Sequence, residues 1–354
     1  MTIDELVQNQ WEWLQNEGPE ADIVFSTRIR LARNVAEFPF MSRLNSEDRK
    51  NLHQKLHDAL RNCPGGKDYT FLEMENLSDL DRNLLVESHL ISRELADGSE
   101  MRSVMIAPDE HCSIMLLEED HLRIQVLRGG FDLHATWEAI NDLDDQIEQQ
   151  LVYAWNEQLG YLTACPTNVG TGMRVSVMLH LPALVATRQF PKVYQSLQKI
   201  SLTVRGLYGE GSQAFGDFYQ ISNQVTLGVR EEATLQQVGD VVRSVINYEM
   251  RARSFLLSEN ADKVRQDVLQ CLEILRTSET LSPEETMRCL SYVRMGINMG
   301  LMDHLPIHIV NQLLIQTQPA HLQWIYGGVT SSLDANLLRA QYLQKHLQAY
   351  GLTH

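Results

Sequence analysis

Positive charge is the first thing this sequence is short of: 30 Lys and Arg stand against 46 Asp and Glu, a net charge of -16 at pH 7. Such a balance repels phosphate backbones and acidic bilayers, which excludes nucleic acid and membrane surfaces as general partners. Any anion site must therefore be a local basic cluster. Cysteine is scarce as well. Cys63, Cys112, Cys165, Cys271 and Cys289 are widely spaced, with no CxxC pair, and an odd count fits free thiols in a reducing compartment. No apolar run reaches the ~20 residues that a spanning helix needs. The opening MTIDELVQNQ carries Asp4 and Glu5 where a secretory leader would carry Lys or Arg. A cytoplasmic protein is expected. Repeats and low-complexity linkers are also missing.

What is present begins with the stretch Cys165–Pro182, CPTNVGTGMRVSVMLHLP. A short strand at 161–164 is expected to enter a loop with Gly170 and Gly172. The loop delivers Arg174 at the head of a second strand, 175–181. Glycine permits close backbone approach, and amides in such a loop can cradle an anion beside a guanidinium. The segment is not a Walker loop, because no Gly-Lys-Ser/Thr follows these glycines. Taken alone, a Gly-bearing turn between strands reads first as only a turn.

In DIVFSTRIRLARN, Ile23, Phe25, Thr27, Ile29 and Leu31 alternate with Val24, Ser26, Arg28 and Arg30. Period two predicts a strand with Ser26, Arg28 and Arg30 on one face. Two neighbouring guanidinium groups read either as a solvated face or as a clamp for phosphate oxygens. Further strands are expected at 69–74, 102–107, 112–117, 121–127, 201–205, 215–223 and 225–229. Glu118, Glu119 and Asp120 then fall at a hairpin turn, ahead of Arg123. Helices are expected at about 3–16, 46–61 (capped by Ser46), 79–89, 131–151 and 231–257. Beyond about 259 no strand signal remains. Ser282-Pro283-Glu284-Glu285 is a capping box opening a helix, and more helices are expected at 306–317, 319–326 and 333–349. The expected division is a catalytic domain at 1–258 and a helical domain at 259–354.

Five arginines thus stand on strands or loops, with Glu119 and Glu210 near them in the pattern. The segments STRIR (26–30), EEDHLRIQ (118–125), CPTNVGTGMRVSVMLHLP (165–182), RGLYGEGS (205–212) and FYQISNQVTLG (218–228) resemble the guanidino (phosphagen) kinase family in order and spacing, through about 22–255. The resemblance implies an α+β fold: a mostly antiparallel sheet flanked by helices, here followed by an all-helical domain. It implies ATP and Mg²⁺ as cofactors, with no protein metal ligand assigned. Arg28, Arg30, Arg123, Arg174 and Arg205 would cage the ATP phosphates. Ser26, Thr27 and Ile29, Val175, Ser176, Val177 and Met178, and Gly206, Leu207, Tyr208 and Gly209 would complete the nucleotide site, with His89 as a further contact. Glu119 and Glu210 would grip the substrate guanidinium, beside Cys165 as the family's reactive cysteine.

These residue types suit the reaction. Phosphoryl transfer needs positioning and charge neutralisation more than covalent help. A protonated guanidinium has a pKa above about 12 and no lone pair to give, so carboxylates must orient it and take its proton.

The first motif begins at Ser26, without the preceding helical domain of metabolite kinases, and a helical C-terminus is added. Both features match the branch of the family that acts on arginine in proteins. The implied function is ATP-dependent phosphorylation of exposed arginine side chains, marking proteins for degradation or regulating a stress response. An activator protein and a chaperone–protease complex are implied partners, and a homodimer the implied assembly. A kinase of free arginine or another small guanidine, and an adaptor acting through the helical domain, are the alternatives. That branch carries an Arg-Asp-x-x-Arg-Ala motif for binding phosphoarginine. Here Ala335 and Asn336 replace the first Arg and the Asp, while Arg339 and Ala340 remain. Loss of that regulation is expected, because Ala offers no fork to phosphate.

Overall fold

The alternation seen around residues 23–31 is realised as the middle strand of a large sheet. The computed structural model describes Glu5 and residues 11–98, 101–206, 215–328 and 331–350. Among these residues the strands are β1 (Val24–Arg33), β2 (Thr70–Glu73), β3 (Ser103–Ile106), β4 (Cys112–Leu116), β5 (Leu122–Gly129), β6 (Trp155–Asn156), β7 (Gly160–Tyr161), β8 (Met173–His180), β9 (Leu202–Gly206) and β10 (Phe218–Asn223). Eight of them form one antiparallel sheet in the order β2-β3-β4-β5-β1-β8-β10-β9, and β6 and β7 form a separate hairpin. The helices are α1 (Ser46–Asn62), α2 (Asp79–Glu87), α3 (Arg93–Ala96), α4 (Leu133–Glu148), α5 (Pro182–Ala186), α6 (Phe190–Gln198), α7 (Glu231–Thr277), α8 (Pro283–Asn298), α9 (Ile307–Gln316), α10 (Pro319–Ile325) and α11 (Ser332–Leu347). This is the expected class: an antiparallel sheet flanked by helices, with a helical C-terminal region.

Side chains on a strand alternate between faces, so position parity in β1 decides each residue's surroundings. Thr27, Ile29, Leu31 and Arg33 face the helices. Thr27 and Ile29 are in register with Val177 and Val175 of β8, and Ile29 and Leu31 with Val126 and Ile124 of β5. All the apolar members of this set are completely buried. Helix α4 covers them with Ile140 and Ile147, and α7 with Val238, Val242 and Val245. Burying each such side chain contributes about 1.5–3 kcal/mol. Arg33 falls on this inner face by parity. Its Nε and Nη2 donate to Asp144 Oδ2 of α4 at 3.0 and 2.7 Å, and its guanidinium lies over the Tyr161 ring at 3.6 Å.

The even positions Ser26, Arg28 and Arg30 face away from these helices. In register with them on the same face come Gln125 of β5, Arg174, Ser176 and Met178 of β8, Gln220 and Ser222 of β10, and Arg205 of β9. Arg123, two residues before Gln125, shares it.

The helical region is joined to the sheet by a polar seam. Arg294 of α8 is fully buried. Its guanidinium donates to Asn311 Oδ1 (3.0 Å), Asp22 O (3.1 Å), Asn16 Oδ1 (3.3 Å) and Ala21 O (2.7 Å), and to Nδ1 of His180, at the end of β8 (2.9 Å). On the other side, Glu87 at the end of α2 accepts from the backbone N–H of Ala320 (2.9 Å) and His321 (3.0 Å) and from His321 Nδ1 (2.8 Å).

Several boundaries differ from expectation. Helix α7 spans Glu231–Thr277 but is two helical stretches meeting at a kink at Asn260 (φ -145°, ψ 30°), so the first stretch ends close to the expected Leu257 and a second, unexpected stretch continues to Thr277. Beyond the kink, residues 261–277 contain no Gly or Pro, and Val264, Val268, Leu272 and Leu275 give the second stretch a buried stripe. Residues 225–229 are a turn rather than a strand, with Val225, Leu227 and Val229 exposed. The Asn223 side chain takes the place of continued pairing: it accepts from Val175 N and donates to the carbonyls of Met173 and Val225. The cap of α1 is Asn45, whose Oδ1 accepts from Asp48 N at 2.8 Å, not Ser46. Residues 162–164 are irregular, β7 ending at Tyr161. Of the expected helix at 3–16, the described part includes a short 3₁₀ turn, Glu12–Leu14.

Candidate active site

The open face of the sheet forms the floor of a cavity of about 780 Å³. Arg28, Arg30, Arg123, Arg174 and Arg205 all line it, together with Ser26, Ser176, Met178, Gly206, His89, Glu119 and Cys165. Arg30 and Arg174 are direct partners in the β1–β8 register. Like charges placed opposite one another across strands are destabilising.

The electrostatics follow from that crowding. Burial, then Arg123 and Arg174, brings Arg28 down to about 10. Burial, then Arg28, Arg123 and Arg174, holds Arg30 well below the ordinary guanidinium value, with Glu118 opposing. Arg174 is lowered by burial and by Arg205 and Arg123. Hydrogen bonds are few. Arg28 Nη2 donates to Gln220 Oε1 at 2.9 Å, and Arg174 Nη2 to Ser222 Oγ at 3.1 Å. Nε of Arg30, Nε of Arg174 and Oγ of Ser176 are buried without a partner among the described residues. Buried donors are seldom left unpaired. Under-bonded, mutually repelling cations on one concave face fit a polyanion rich in oxygen, such as a triphosphate.

The acidic turn between β4 and β5 separates its three carboxylates into three roles. Glu118 is buried and accepts from Arg123 Nη1 at 2.6 and 2.8 Å, and from Ser92 Oγ. Burial alone would raise it, but Arg123 outweighs that and holds it below the usual carboxylate range. Asp120, also buried, accepts from Asn34 Nδ2 and Ala164 N, both at 2.6 Å. It thereby fixes the segment leading to Cys165. Glu119 alone is exposed, and its carboxylate has no partner among the described residues. Partial burial, then Asp120 and Glu118, raises it above the usual range. A free carboxylate beside a basic nest is poised to bind a cation.

Cys165 is half-buried on the cavity wall, its Sγ 3.0 Å from Thr167 Oγ1. The glycines after it serve packing. A Cβ on Gly170 would meet Thr226 O at 2.1 Å, and one on Gly172 would meet Ala32 O at 2.6 Å. Gly170 N donates to Tyr161 O, and Gly172 O accepts from Ala32 N, which ties both glycines to neighbouring strands.

His89 follows α2 with φ 60°, its carbonyl accepting from Gln125 Nε2 at 2.6 Å and its ring edge-on to Trp13 at 5.5 Å. Burial, then Arg28 and His321, pushes its imidazole down to about 3, so it is neutral beside the cations.

The structure does not bring every expected residue to the cavity. The side chains of Thr27, Ile29, Val175 and Val177 face the helices and are fully buried. Leu207, Tyr208, Gly209 and Glu210 lie outside the described residues. Ala335, Asn336, Arg339 and Ala340 do not line the cavity; Arg339 is buried and donates to Thr317 O (3.0 Å), Leu281 O (2.9 Å) and Asn336 Oδ1 (2.7 Å). Sequence reasoning missed Glu118 as counter-ion, and also Gln220 and Ser222. Even-numbered parity along β10 would have found the last two. Arg93 and Arg102 also line the cavity but carry no sequence signal.

Comparison with known proteins shows the family. A family model described as ATP:guanido phosphotransferase, C-terminal catalytic domain, matches residues 51–252, and one described as protein-arginine kinase McsB C-terminal domain matches residues 261–353. The chain is 43% identical to the protein-arginine kinase of Symbiobacterium thermophilum over 353 residues, covering 99% of this chain and 100% of that one. To the protein-arginine kinase of Bacillus subtilis it is 39% identical over 356 residues, covering 99% and 98%. Among solved structures it resembles a lombricine kinase (TM-score 0.59, 26% identity, covering 66% of this chain and 68% of that one). It also resembles the duplicated taurocyamine kinase of Schistosoma mansoni with bound transition state analog components (TM-score 0.59, 26% identity, covering 73% and 39%).

Proposed function

The chain belongs to the ATP:guanido phosphotransferase family, and from that premise we propose that it transfers the γ-phosphoryl group of ATP to arginine side chains of proteins. The observation that carries this reading is the opposed Arg30–Arg174 pair, with its unpartnered buried donors, in the same cavity as the unpaired Glu119.

The triphosphate oxygens take the free N–H groups of Arg28, Arg30, Arg174 and Arg205 and relieve their repulsion. Arg123, steadied by Glu118, adds a fifth cation. An arginine that stabilises the transferring group is worth roughly 10³–10⁵ in rate. Neutral His89 lies against the nucleotide without adding charge. Among the described residues no group of His, Cys, Asp or Glu could hold a metal ion by itself. Mg²⁺ brought with the nucleotide would supply further charge neutralisation beside these arginines. Glu119 binds the substrate guanidinium and, with its raised affinity for protons, accepts the one released as nitrogen attacks phosphorus. Glu210 is assigned as the second carboxylate from its sequence motif alone. Cys165, across the cavity wall, places a polarisable sulfur near the same group.

Residues 1–258 form the catalytic domain in this reading and 259–354 the helical domain. The helical domain supports docking of protein substrates, an activator and a chaperone–protease complex. Exposed Tyr248, Met250, Phe255 and Leu257 on α7 support a homodimer, and five free cysteines a cytoplasmic location. The likeness to protein-arginine kinases supports a role in marking proteins for degradation or in stress regulation. Arg339 is engaged with backbone carbonyls, which supports loss of phosphoarginine sensing.

The test is reaction with Mg²⁺-ATP and either an unfolded generic protein or free arginine, followed by mass spectrometry under conditions that preserve P–N bonds. Phosphoarginine in the protein is expected. Label confined to free arginine would overturn the proposal.

A further inference from the structure

Two of the five thiols lie together, far in sequence from the catalytic motifs. Cys271 on α7 and Cys289 on α8 are both buried. One guanidinium covers both: Arg288 Nη1 is 3.7 Å from Cys271 Sγ, and Nη2 is 3.5 Å from Cys289 Sγ. Arg288 is itself exposed, so the sulfurs lie one layer beneath the surface under a movable side chain. The helices approach closely here because Gly296 of α8 has no Cβ, and one added would meet Val268 Cγ1 of α7 at 2.5 Å.

We propose that Cys271 and Cys289 are a redox-active dithiol, which a hydroperoxide oxidises to a disulfide joining α7 to α8. Nothing in the phosphotransfer reaction uses this pair. The chemistry is directional. The Arg288 guanidinium, in contact with both sulfurs, favours a thiolate within the pair, and Cys271 serves as the nucleophile. Its thiolate attacks one oxygen of hydrogen peroxide. The O–O bond breaks, a sulfenic acid forms, and the departing hydroxide takes up the proton that Cys271 released, leaving as water. Cys289 then attacks the sulfenic sulfur. The S–S bond forms, and the sulfenic oxygen leaves as a second water with the Cys289 proton. Two thiols are oxidised and one peroxide is reduced. Cys63 and Cys112 are internal controls: burial raises both thiols, Cys112 to about 12, and among the described residues neither has a cation against its sulfur.

The experiment treats the folded full-length chain with hydrogen peroxide, quenches it with an alkylating reagent, and maps the peptides by mass spectrometry. A linked 271–289 peptide, two hydrogens lighter than the thiol pair, is expected while Cys63 and Cys112 remain alkylated. Arg288→Met should slow linkage about tenfold, the effect of roughly one pKa unit on thiolate fraction, and Arg288→Lys should restore part of the rate. Cys271→Ser, with its fold checked by circular dichroism, should leave Cys289 unoxidised. Oxidation of Cys165 alone, linkage that needs denaturant, or an Arg288→Met rate equal to that of the parent chain would each overturn the proposal.

Discussion

Arg30 on the cavity floor and Arg294 in the seam between sheet and helical region are both withdrawn from bulk water, and they meet opposite surroundings. Arg294 is completely buried, with bonds to two carbonyls, two amides and an imidazole. Arg33 and Arg339, buried to the same degree, are likewise bonded to carboxylate, carbonyl or amide oxygens. Arg30 has no such set. It faces Arg174, and its Nε is buried without a partner among the described residues. The same contrast separates Glu119 from Glu118 and Asp120. Satisfied charge builds the frame, and unsatisfied charge marks where a ligand must complete the structure.

The contrast is open to direct attack by mutation. The largest effect belongs to Glu119. Glu119→Ala should lower the transfer rate by about 10²–10⁴-fold, the range for a lost general base, with melting temperature and nucleotide affinity unchanged. Phosphotransfer assays beside calorimetric ATP titration check this, and loss of ATP binding would contradict its role. Next comes the frame. Arg294→Met should destabilise the fold by about 1–3 kcal/mol for each buried acceptor it leaves unpaired, seen as a fall in melting temperature. Arg30→Met should do the reverse. Without ligand it should melt slightly higher, by the roughly 0.5–1 kcal/mol typical of a relieved cross-strand pair, while ATP binds roughly ten- to hundredfold more weakly. If Arg30→Met destabilised the free protein as Arg294→Met does, the distinction would fail.

The imidazoles give an effect that appears only at acid pH. Burial depresses His121 to about 4 and His89 to about 3, against about 6.5 when unfolded. The unfolded chain therefore binds more protons between these values, and stability falls as pH drops below about 6.5. His121 is part of the frame, accepting from Val35 N through Nδ1, so protonation there breaks a buried bond. Its share, from the gap between about 6.5 and about 4, is on the order of 3 kcal/mol when pH has fallen through both values, and His121→Gln should flatten the acid limb of a melting-temperature profile. The smallest effect expected is none at all: added phosphoarginine should leave the transfer rate within about twofold, because Arg339 already donates to Thr317 and Leu281.

Residue parity made much of this readable beforehand. STRIR put Arg28 and Arg30 on one face, and β1 keeps them there. His89 gave no such hint: an isolated histidine after a helix has no period to place it, and only its positive φ and the Trp13 ring fix it on the cavity wall. The strand expected at 225–229 failed because apolar alternation is silent about whether a neighbouring strand exists to pair with.

What the sequence by itself determined was which side chains share a strand face, because a two-residue repeat is a property of the local backbone. It also determined the chemical inventory: guanidinium groups, carboxylates and one thiol in fixed order. Only the tertiary structure decided which charges are met and which are left wanting. Arg33 and Arg30 differ by three positions along one strand, yet Asp144 from a distant helix satisfies the first, and another arginine faces the second. That choice depends on elements brought together across more than a hundred residues, where local patterning has no reach.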